Sequence, residues 1–295
     1  MSDRFVPQLT ADGSATFYSQ EFGEAFHSHF GARQESELKF VIPLQLNRKA
    51  LAAKVRLLDV CYGLGYNTAT ALAQIWAINP CCEVEIIALE ADPTVAENAT
   101  ACGLLSPWGE PLAQILTQLA TKHQVKTDIL QATLLIGDAR QTIKLVPLDW
   151  KAEAIFLDPF SPPKCPQLWT VEFIQLVANC LSSDGMLATY SSAAAVRTAL
   201  ITAGLNISST VALGRRSPGT IAANYDLPQL SVLEQERLLT RAAIPYRDPN
   251  LNDLAAVILQ RRRDEQQTSQ LEPTSRWQKR IQFTKTSTFP KIGNY

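Results

Sequence analysis

Between Val55 and Ala203 short apolar runs alternate with segments of helical period. The runs are Val55–Val60, Val84–Glu90, Ala132–Ile136, Ala154–Leu157 and Met186–Tyr190. Each reads as a strand, because it is short, apolar and bounded by turn residues. Between them lie a helix over Thr68–Ile78, one begun by Asp92 as N-cap with Pro93 in its first turn, and a second near Pro111–His123. A short helix starts at Gln141, and another covers Trp169–Leu181 before a turn at Asp184-Gly185. The last is capped by Ser191 or Ser192 and ended by Gly204. Five strands separated by helices predict a doubly wound α/β fold around a mostly parallel sheet. Leu205–Leu213 and Thr220–Ala223 add two strands, joined by Gly214-Arg-Arg-Ser-Pro-Gly219 in a turn able to form a hairpin.

The flanks read differently. Residues 1–50 carry Asp12-Gly13 between two semi-apolar segments, a hairpin signal, and are taken as an N-terminal cap. Residues 51–223 form the main domain, and 224–263 a helical extension with candidates at Leu230–Ala243 and Leu251–Arg263. Residues 264–295 are polar and basic without a helical or strand period, and are expected to be an extended, flexible tail.

Composition adds modest constraints. The formal net charge is −1, which gives no sign of a nucleic-acid binder in the total. Its distribution is uneven: residues 261–295 hold eight Lys/Arg against three Asp/Glu, leaving −6 for the remainder. Six cysteines show no C-x-x-C pair and mostly sit in apolar runs, as small buried hydrophobes of a reducing compartment do. His27-x-His29 has no third ligand nearby, so a metal site is not expected and the two are read as loop or surface histidines. No apolar run is long enough to span a membrane, and the first residues lack a signal-peptide core. The expectation is a cytoplasmic protein that works without membrane or metal.

The chemistry gathers at the strand ends. Asp59, Glu90, Asp138 and Asp158 each stand at or just past the C-terminal end of one of the first four strands, where open α/β sheets bind ligands. Asp59 is followed by the turn containing Gly63 and Gly65, where backbone approaches a ligand closely. The third glycine of a dinucleotide fingerprint is missing, and four carboxylates would repel a pyrophosphate. A cationic nucleoside fits them: Glu90 as acceptor for two ribose hydroxyls, Asp138 as acceptor for an adenine amino group. S-adenosylmethionine has these features. Asp158 opens Asp-Pro-Phe-Ser-Pro-Pro-Lys-Cys-Pro166, whose four prolines forbid helix and keep the backbone stiff.

Asp59-Val-Cys-Tyr-Gly-Leu-Gly-Tyr-Asn67 resembles the glycine motif of class I methyltransferases. More narrowly it is similar to the methyltransferase part of the MnmC family. Leu105-Ser-Pro-Trp108, Phe156-Leu-Asp-Pro-Phe-Ser-Pro-Pro-Lys-Cys-Pro166 with Trp169, Leu187-Ala-Thr-Tyr-Ser191, the Arg197 helix and Gly214-Arg-Arg216 continue the likeness over residues 7–223. It implies S-adenosylmethionine as methyl donor, bound by Asp59, Tyr62, Gly63, Gly65, Asn67, Glu90, Asp138 and Ala139. It further implies the amine of 5-aminomethyl-2-thiouridine, at the wobble position of tRNA, as acceptor. Asp158 would be the catalytic carboxylate beside that amine, with Phe160, Lys164, Arg215 and Arg216 on the substrate. Cys61 replaces the motif's first glycine and Pro159 a glycine of the later loop. The family's FAD-dependent half has no counterpart here, so other enzymes would make the aminomethyl precursor.

Read without the likeness, these residues leave other outcomes open. The acceptor can be a small amine or a protein nitrogen, and the group transferred an aminopropyl. The pocket can also belong to a non-catalytic module that senses S-adenosylmethionine or binds RNA. The basic residues Arg261–Arg263, Arg276, Lys279, Arg280 and Lys285 suit either a salt-sensitive grip on tRNA or a solvated tail.

Overall fold

The computed structural model describes residues 5–210 and 218–287, with side chains to residue 282. Two small hairpins open the chain. Strand β1 (Gln8–Leu9) pairs with β2 (Ala15–Thr16), and β3 (Tyr18–Ser19) with β4 (Glu24–Ala25), both antiparallel. The first turns at Asp12-Gly13 as its sequence predicts. Gly13 takes φ +80°, and Asp12 Oδ1 accepts from Thr10 Oγ1 at 2.8 Å and from the Ser14 amide at 3.0 Å. Helix α1 (Ala32–Ser36), a π-helical turn (Glu37–Val41) and α2 (Leu46–Lys49) then lead to the main sheet.

That sheet alternates with helices in chain order. Strand β5 (Lys54–Val60) is followed by α3 (Tyr66–Ile78), β6 (Glu83–Glu90), α4 (Pro93–Ala101) and α5 (Leu112–Lys122). Then come β7 (Gln124–Lys126), β8 (Leu130–Ile136), α6 (Ala139–Thr142), β9 (Ala152–Leu157) and α7 (Val171–Asn179). Strand β10 (Leu181–Thr189), α8 (Ala194–Thr202), β11 (Asn206–Ser209) and β12 (Thr220–Ala223) complete it. The spatial order is β11-β12-β10-β9-β5-β6-β8-β7. The middle five strands, β10-β9-β5-β6-β8, run parallel; β12, β11 and β7 are antiparallel edges. Alternation along β5 explains the two layers: Val55 and Leu57 enter one core, with α3 and α5, and Leu58 and Val60 the other, with α7 and α8.

Some expectations are corrected. Asp184-Gly185 is no turn but lies within β10, whose pairing with β9 shifts register between Leu181 and Met186. A Cβ on Gly185 would stand 2.6 Å from the Ala152 carbonyl, so its glycine permits a close strand approach. Neither Ser191 nor Ser192 caps α8; Ala193 does, without a side-chain bond, while Ser191 Oγ accepts from the Ala193 amide at 3.3 Å. The edge strand β7 has no signal in its three residues.

Beyond β12 the chain forms α9 (Val232–Leu238), α10 (Ala255–Thr268) and α11 (Thr274–Ser287). Helix α10 covers most of the candidate at Leu251–Arg263 and runs on to Thr268; its last residues and α11 replace the extended tail expected from residue 264. The weak apolar period beyond residue 263 hid α11; Gln, Arg and Glu favour helix, and ion pairs hold both helices to the chain. Arg261 donates to Asp253 at 2.7 Å, and Arg262 donates to the Ile244 carbonyl and lies over the Tyr246 ring. Arg280 pairs with Glu236 and Glu272. Three of the basic residues proposed to grip RNA are thus engaged within the chain.

Arg197, 3% exposed in the middle of α8, ties the antiparallel edge to the helical extension. It donates to Thr220 Oγ1 at 3.0 Å, Ser209 Oγ at 2.7 Å and Glu234 Oε1 at 2.9 Å. Burial alone would raise the Glu234 carboxyl, but hydrogen bonds from Ser209, Ser231 and Arg197 outweigh it and bring it down to about 2. Arg197→Met, which leaves those acceptors without their donor, is expected to cost ~3 kcal/mol in urea unfolding. A lowered carboxyl stabilises above its unfolded value and loses that contribution as pH falls toward 2. The wild type should therefore weaken between about pH 4.5 and 2 more than Glu234→Gln does; parallel curves would contradict the assignment.

Candidate active site

Winding sets the position of the site. From β5 the chain adds β6 and β8 on one side, then crosses back to place β9 on the other, so connections diverge between the C-terminal ends of β5 and β9. The crevice there is a cavity of about 740 Å³, within the ~300–1,000 Å³ usual for small-molecule sites. Glu90 ends β6, Asp138 lies just past β8, and Asp158 follows β9; all three line the cavity, with Gly63, Ala139 and Phe160. Asp59, Tyr62, Gly65 and Asn67 stand behind it and do not line it, and Lys164 is exposed outside it. Arg215 and Arg216 lie outside the described residues.

The turn after β5 is held in left-handed conformations at Cys61 (φ +70°), Gly63 (φ +56°) and Gly65 (φ +82°). Cys61 thus adopts the backbone of the glycine it replaces, at a steric cost of ~1–2 kcal/mol. Burial pushes its thiol well up, so it is held protonated. At Gly65 the reason for glycine is direct: a Cβ would sit 2.6 Å from the Tyr62 hydroxyl, whose ring packs across the turn. The Gly63 amide donates to Glu90 Oε2 at 2.8 Å and the Asp92 amide to Oε1 at 3.0 Å, which fixes the Glu90 carboxylate at the mouth of the turn. Burial raises the Glu90 carboxyl despite those bonds.

Asp59 is fully buried beneath the turn. Thr68 Oγ1 donates to its Oδ2 at 2.7 Å, while Oδ1 has no hydrogen-bond partner among the described residues, as is true of the Tyr62 hydroxyl and Asn67 Oδ1. Burial, only partly offset by Thr68, pushes the Asp59 carboxyl up to about 7. Asn67, in the first turn of α3, donates Nδ2 to Asp158 Oδ2 at 2.9 Å, and the Asp158 amide bonds the Val60 carbonyl at 3.1 Å. The ends of β5, α3 and β9 are thereby fastened to one another around Asp158.

The far wall comes from the N-terminal hairpin β3–β4, which the sequence assigned only to a cap. Phe22 stacks on Phe160 with ring centroids 4.3 Å apart, and Phe26 meets it edge-on at 5.0 Å. One ring face of Phe160 is therefore already covered by Phe22, which narrows the role expected for it on a ligand. Glu24 accepts from the Ser161 amide at 3.1 Å and from its hydroxyl. Tyr190, at the end of β10, donates to the Pro159 carbonyl at 2.9 Å, and Trp169 Nε1 to the Phe160 carbonyl at 2.8 Å. His27 is not at the surface: it is buried against Tyr66 at 4.9 Å, bonded to Thr16, and lines the cavity with His29. Among the described residues no group of three or more His, Cys, Asp or Glu is placed to hold a metal ion, and no helix is long and apolar enough to cross a membrane. The six cysteines are free.

Among the described residues the lining carries Glu21, Glu24, Glu35, Glu90, Asp138 and Asp158, and no Lys or Arg. Such a donor set suits a cation and opposes a phosphate. The left-handed glycine turn, Glu90 fixed beside it and the unpartnered polar atoms behind it fit S-adenosylmethionine, which carries a sulphonium and an ammonium group.

A family description of S-adenosyl-L-methionine-dependent methyltransferases matches residues 105–225. The chain is 34% identical to MnmC2 from Aquifex aeolicus, whose crystal structure it matches with a TM-score of 0.78 over 90% of this chain and 86% of that one. It is 29% identical over 261 residues to an uncharacterised protein of Methanocaldococcus jannaschii, covering 85% of this chain and 70% of that protein. It is also 28% identical over 221 residues to the tRNA 5-methylaminomethyl-2-thiouridine biosynthesis bifunctional protein MnmC of Burkholderia vietnamiensis. That match covers 69% of this chain and 33% of the relative, so the chain spans about a third of the length of the bifunctional proteins. The Aquifex match confirms the expected doubly wound fold.

The buried Asp59 gives a signed prediction. Its carboxyl near 7 in the folded protein, against 3.8 when exposed, means the folded state keeps a proton that the unfolded state loses. Stability from this group therefore falls as pH rises from about 4 through 7. Asp59→Asn should gain on the wild type over that window in urea unfolding, and a gap independent of pH would contradict the assignment. Cys61→Gly, which removes a Cβ from a left-handed position, should keep stability within ~1 kcal/mol and leave S-adenosylhomocysteine binding intact. Cys61→Val, β-branched in the same conformation, should weaken both, as measured by calorimetry.

Proposed function

We propose, for a chain that belongs to the MnmC family of S-adenosyl-L-methionine-dependent methyltransferases, that its acceptor is the aminomethyl group of 5-aminomethyl-2-thiouridine at the tRNA wobble position. The observation that carries this reading is the lining of the cavity: among the described residues, six carboxylates, no Lys or Arg, and the stiff Asp158–Pro166 loop along one wall. Phosphates are excluded from such a space, whereas an amine is drawn in. The nucleic-acid backbone then stays outside, and only the modified base with its amine enters. The bifunctional relatives are named for biosynthesis of 5-methylaminomethyl-2-thiouridine in tRNA, which supports the same assignment.

Glu90 would hold the ribose hydroxyls and Asp138 the adenine amino group of S-adenosylmethionine, with Gly63 and Ala139 against the sugar and base. The bound donor supplies an electrophilic methyl group. The protein's share is positioning, charge and exclusion of water. Asp158, oriented by Asn67, accepts a hydrogen bond from the amine, turns its lone pair toward the methyl group and offsets the ammonium charge that develops. Tyr190 and Trp169, by holding the carbonyls of Pro159 and Phe160, keep that carboxylate from drifting. Asp59 takes a supporting place: buried, bonded to Thr68, it underpins the turn from behind. The cell compartment we infer is the cytoplasm, where tRNA is modified.

The deciding experiment is mass spectrometry of tRNA nucleosides from cells lacking the protein. Loss of the methylaminomethyl nucleoside with accumulation of the aminomethyl one is expected, and an unchanged profile would remove the tRNA assignment. Complementation with Asp158→Ala should fail while the purified variant still binds S-adenosylhomocysteine. Failure to bind would mean that Asp158 holds the donor rather than the acceptor.

A further inference from the structure

Residues 226–295 lie beyond the matched family segment and have no role in the reading above. One buried contact joins them to the cavity. Arg140, in the first turns of α6, wraps the Asp138 carboxylate: its amide and Nε donate to Oδ1 at 2.9 and 3.1 Å, and its Nη2 to Oδ2 at 2.6 Å. Its other nitrogen, Nη1, donates to Asp248 Oδ2 at 2.8 Å and to the Asp253 carbonyl at 2.9 Å. Asp248 is fully buried, and its remaining oxygen accepts the amides of Asn252 and Asp253 at 3.2 and 3.1 Å. The segment is itself anchored to the sheet layer. Glu172 of α7 takes Arg247 Nε and the Asp248 amide, both at 2.7 Å, and the Val171 amide bonds the Tyr246 carbonyl at 3.1 Å.

We infer that the Arg247–Asp253 segment is a structural half of the donor pocket, and that Arg140 and Asp248 are positioning residues which set Asp138 for reading the adenine amino group. The argument is one of constraint. Asp138 stands on a loop past its strand, and its side chain is 42% exposed, so packing does not fix it. A guanidinium shared between it and an immobile carboxylate does, since both ends of the planar fork are occupied. Burial tends to raise the Asp138 carboxyl, but the hydrogen bonds from Arg140 outweigh it and keep it lowered, hence ionised and acceptor-only. An ionised acceptor takes a hydrogen bond from an amino group and repels a carbonyl oxygen in its place. The pocket thereby discriminates adenine from hypoxanthine, and the extension supplies part of that discrimination from a distance.

This inference rests on Asp138 meeting the base, and the test separates the two. Calorimetric binding of S-adenosylhomocysteine and of S-inosylhomocysteine is compared in the full-length wild type, Asp138→Asn and Asp248→Asn. Because a lone change can leave Arg140 buried without its partner, the paired change Arg140→Met/Asp248→Leu is included as a well-packed apolar replacement. The wild type should prefer the adenine ligand by about tenfold or more. Asp248→Asn and the paired variant should lose most of that preference, with methyl transfer showing a raised KM for S-adenosylmethionine and a nearly unchanged kcat. A merely structural role would lower the melting temperature and weaken both ligands equally, and that result would overturn the inference. A wild type that binds both ligands alike would overturn the reading of Asp138 and this inference with it. Discrimination retained by both Asp248 variants would overturn the inference alone.

Discussion

Acidic side chains from three strand ends, from the N-terminal hairpin and from α1 face one cavity, and among the described residues no lysine or arginine lines it. Uncompensated carboxylates in a partly buried space are unfavourable, so the fold has to hold each of them by other means. Glu90 is held by two backbone amides, Glu24 by Ser161, Asp158 by Asn67, and Asp138 by Arg140 from outside the cavity. These tethers keep the carboxylates in place without filling the space between them. That space is left for a cation, which is the property the chemistry needs.

Winding of the sheet and chemistry of the site are coupled through the same tethers. The return of the chain from β8 to β9 places Asp158 beside the end of β5, where the Val60 carbonyl and Asn67 fasten it. In the proposed reading the glycine turn gives the donor close access to backbone, and the stiff loop after Asp158 gives the acceptor a wall. Methyl transfer needs two ligands aligned across a short distance. A rigid sheet edge opposite a pinned proline-rich loop provides that alignment with little reorganisation.

Much of this was legible in the sequence because it is local. Asp59, Glu90, Asp138 and Asp158 sit at the ends of apolar runs, and the periodicity that marks a strand also marks where it stops. The departure at Cys61 was visible too, and the structure resolves it as a cysteine in a glycine's backbone conformation. The contacts that were missed join distant positions. Glu24 meets Ser161 across 137 residues and Arg140 meets Asp248 across 108, and no spacing rule signals either pair. Tyr190 is intermediate: it ends its strand as the four carboxylates end theirs, yet an aromatic residue there reads as core. Helix α11 was hidden because its stability comes from charge pairs and propensity rather than from an apolar stripe.

The most direct test of the account is transfer of labelled methyl from S-adenosylmethionine by the purified protein to two tRNA pools, one carrying 5-aminomethyl-2-thiouridine at the wobble position and one carrying unmodified uridine there. The account predicts incorporation into the first pool alone, at that nucleoside. Equal labelling of both pools, or labelling of a small amine in preference to either, would contradict it.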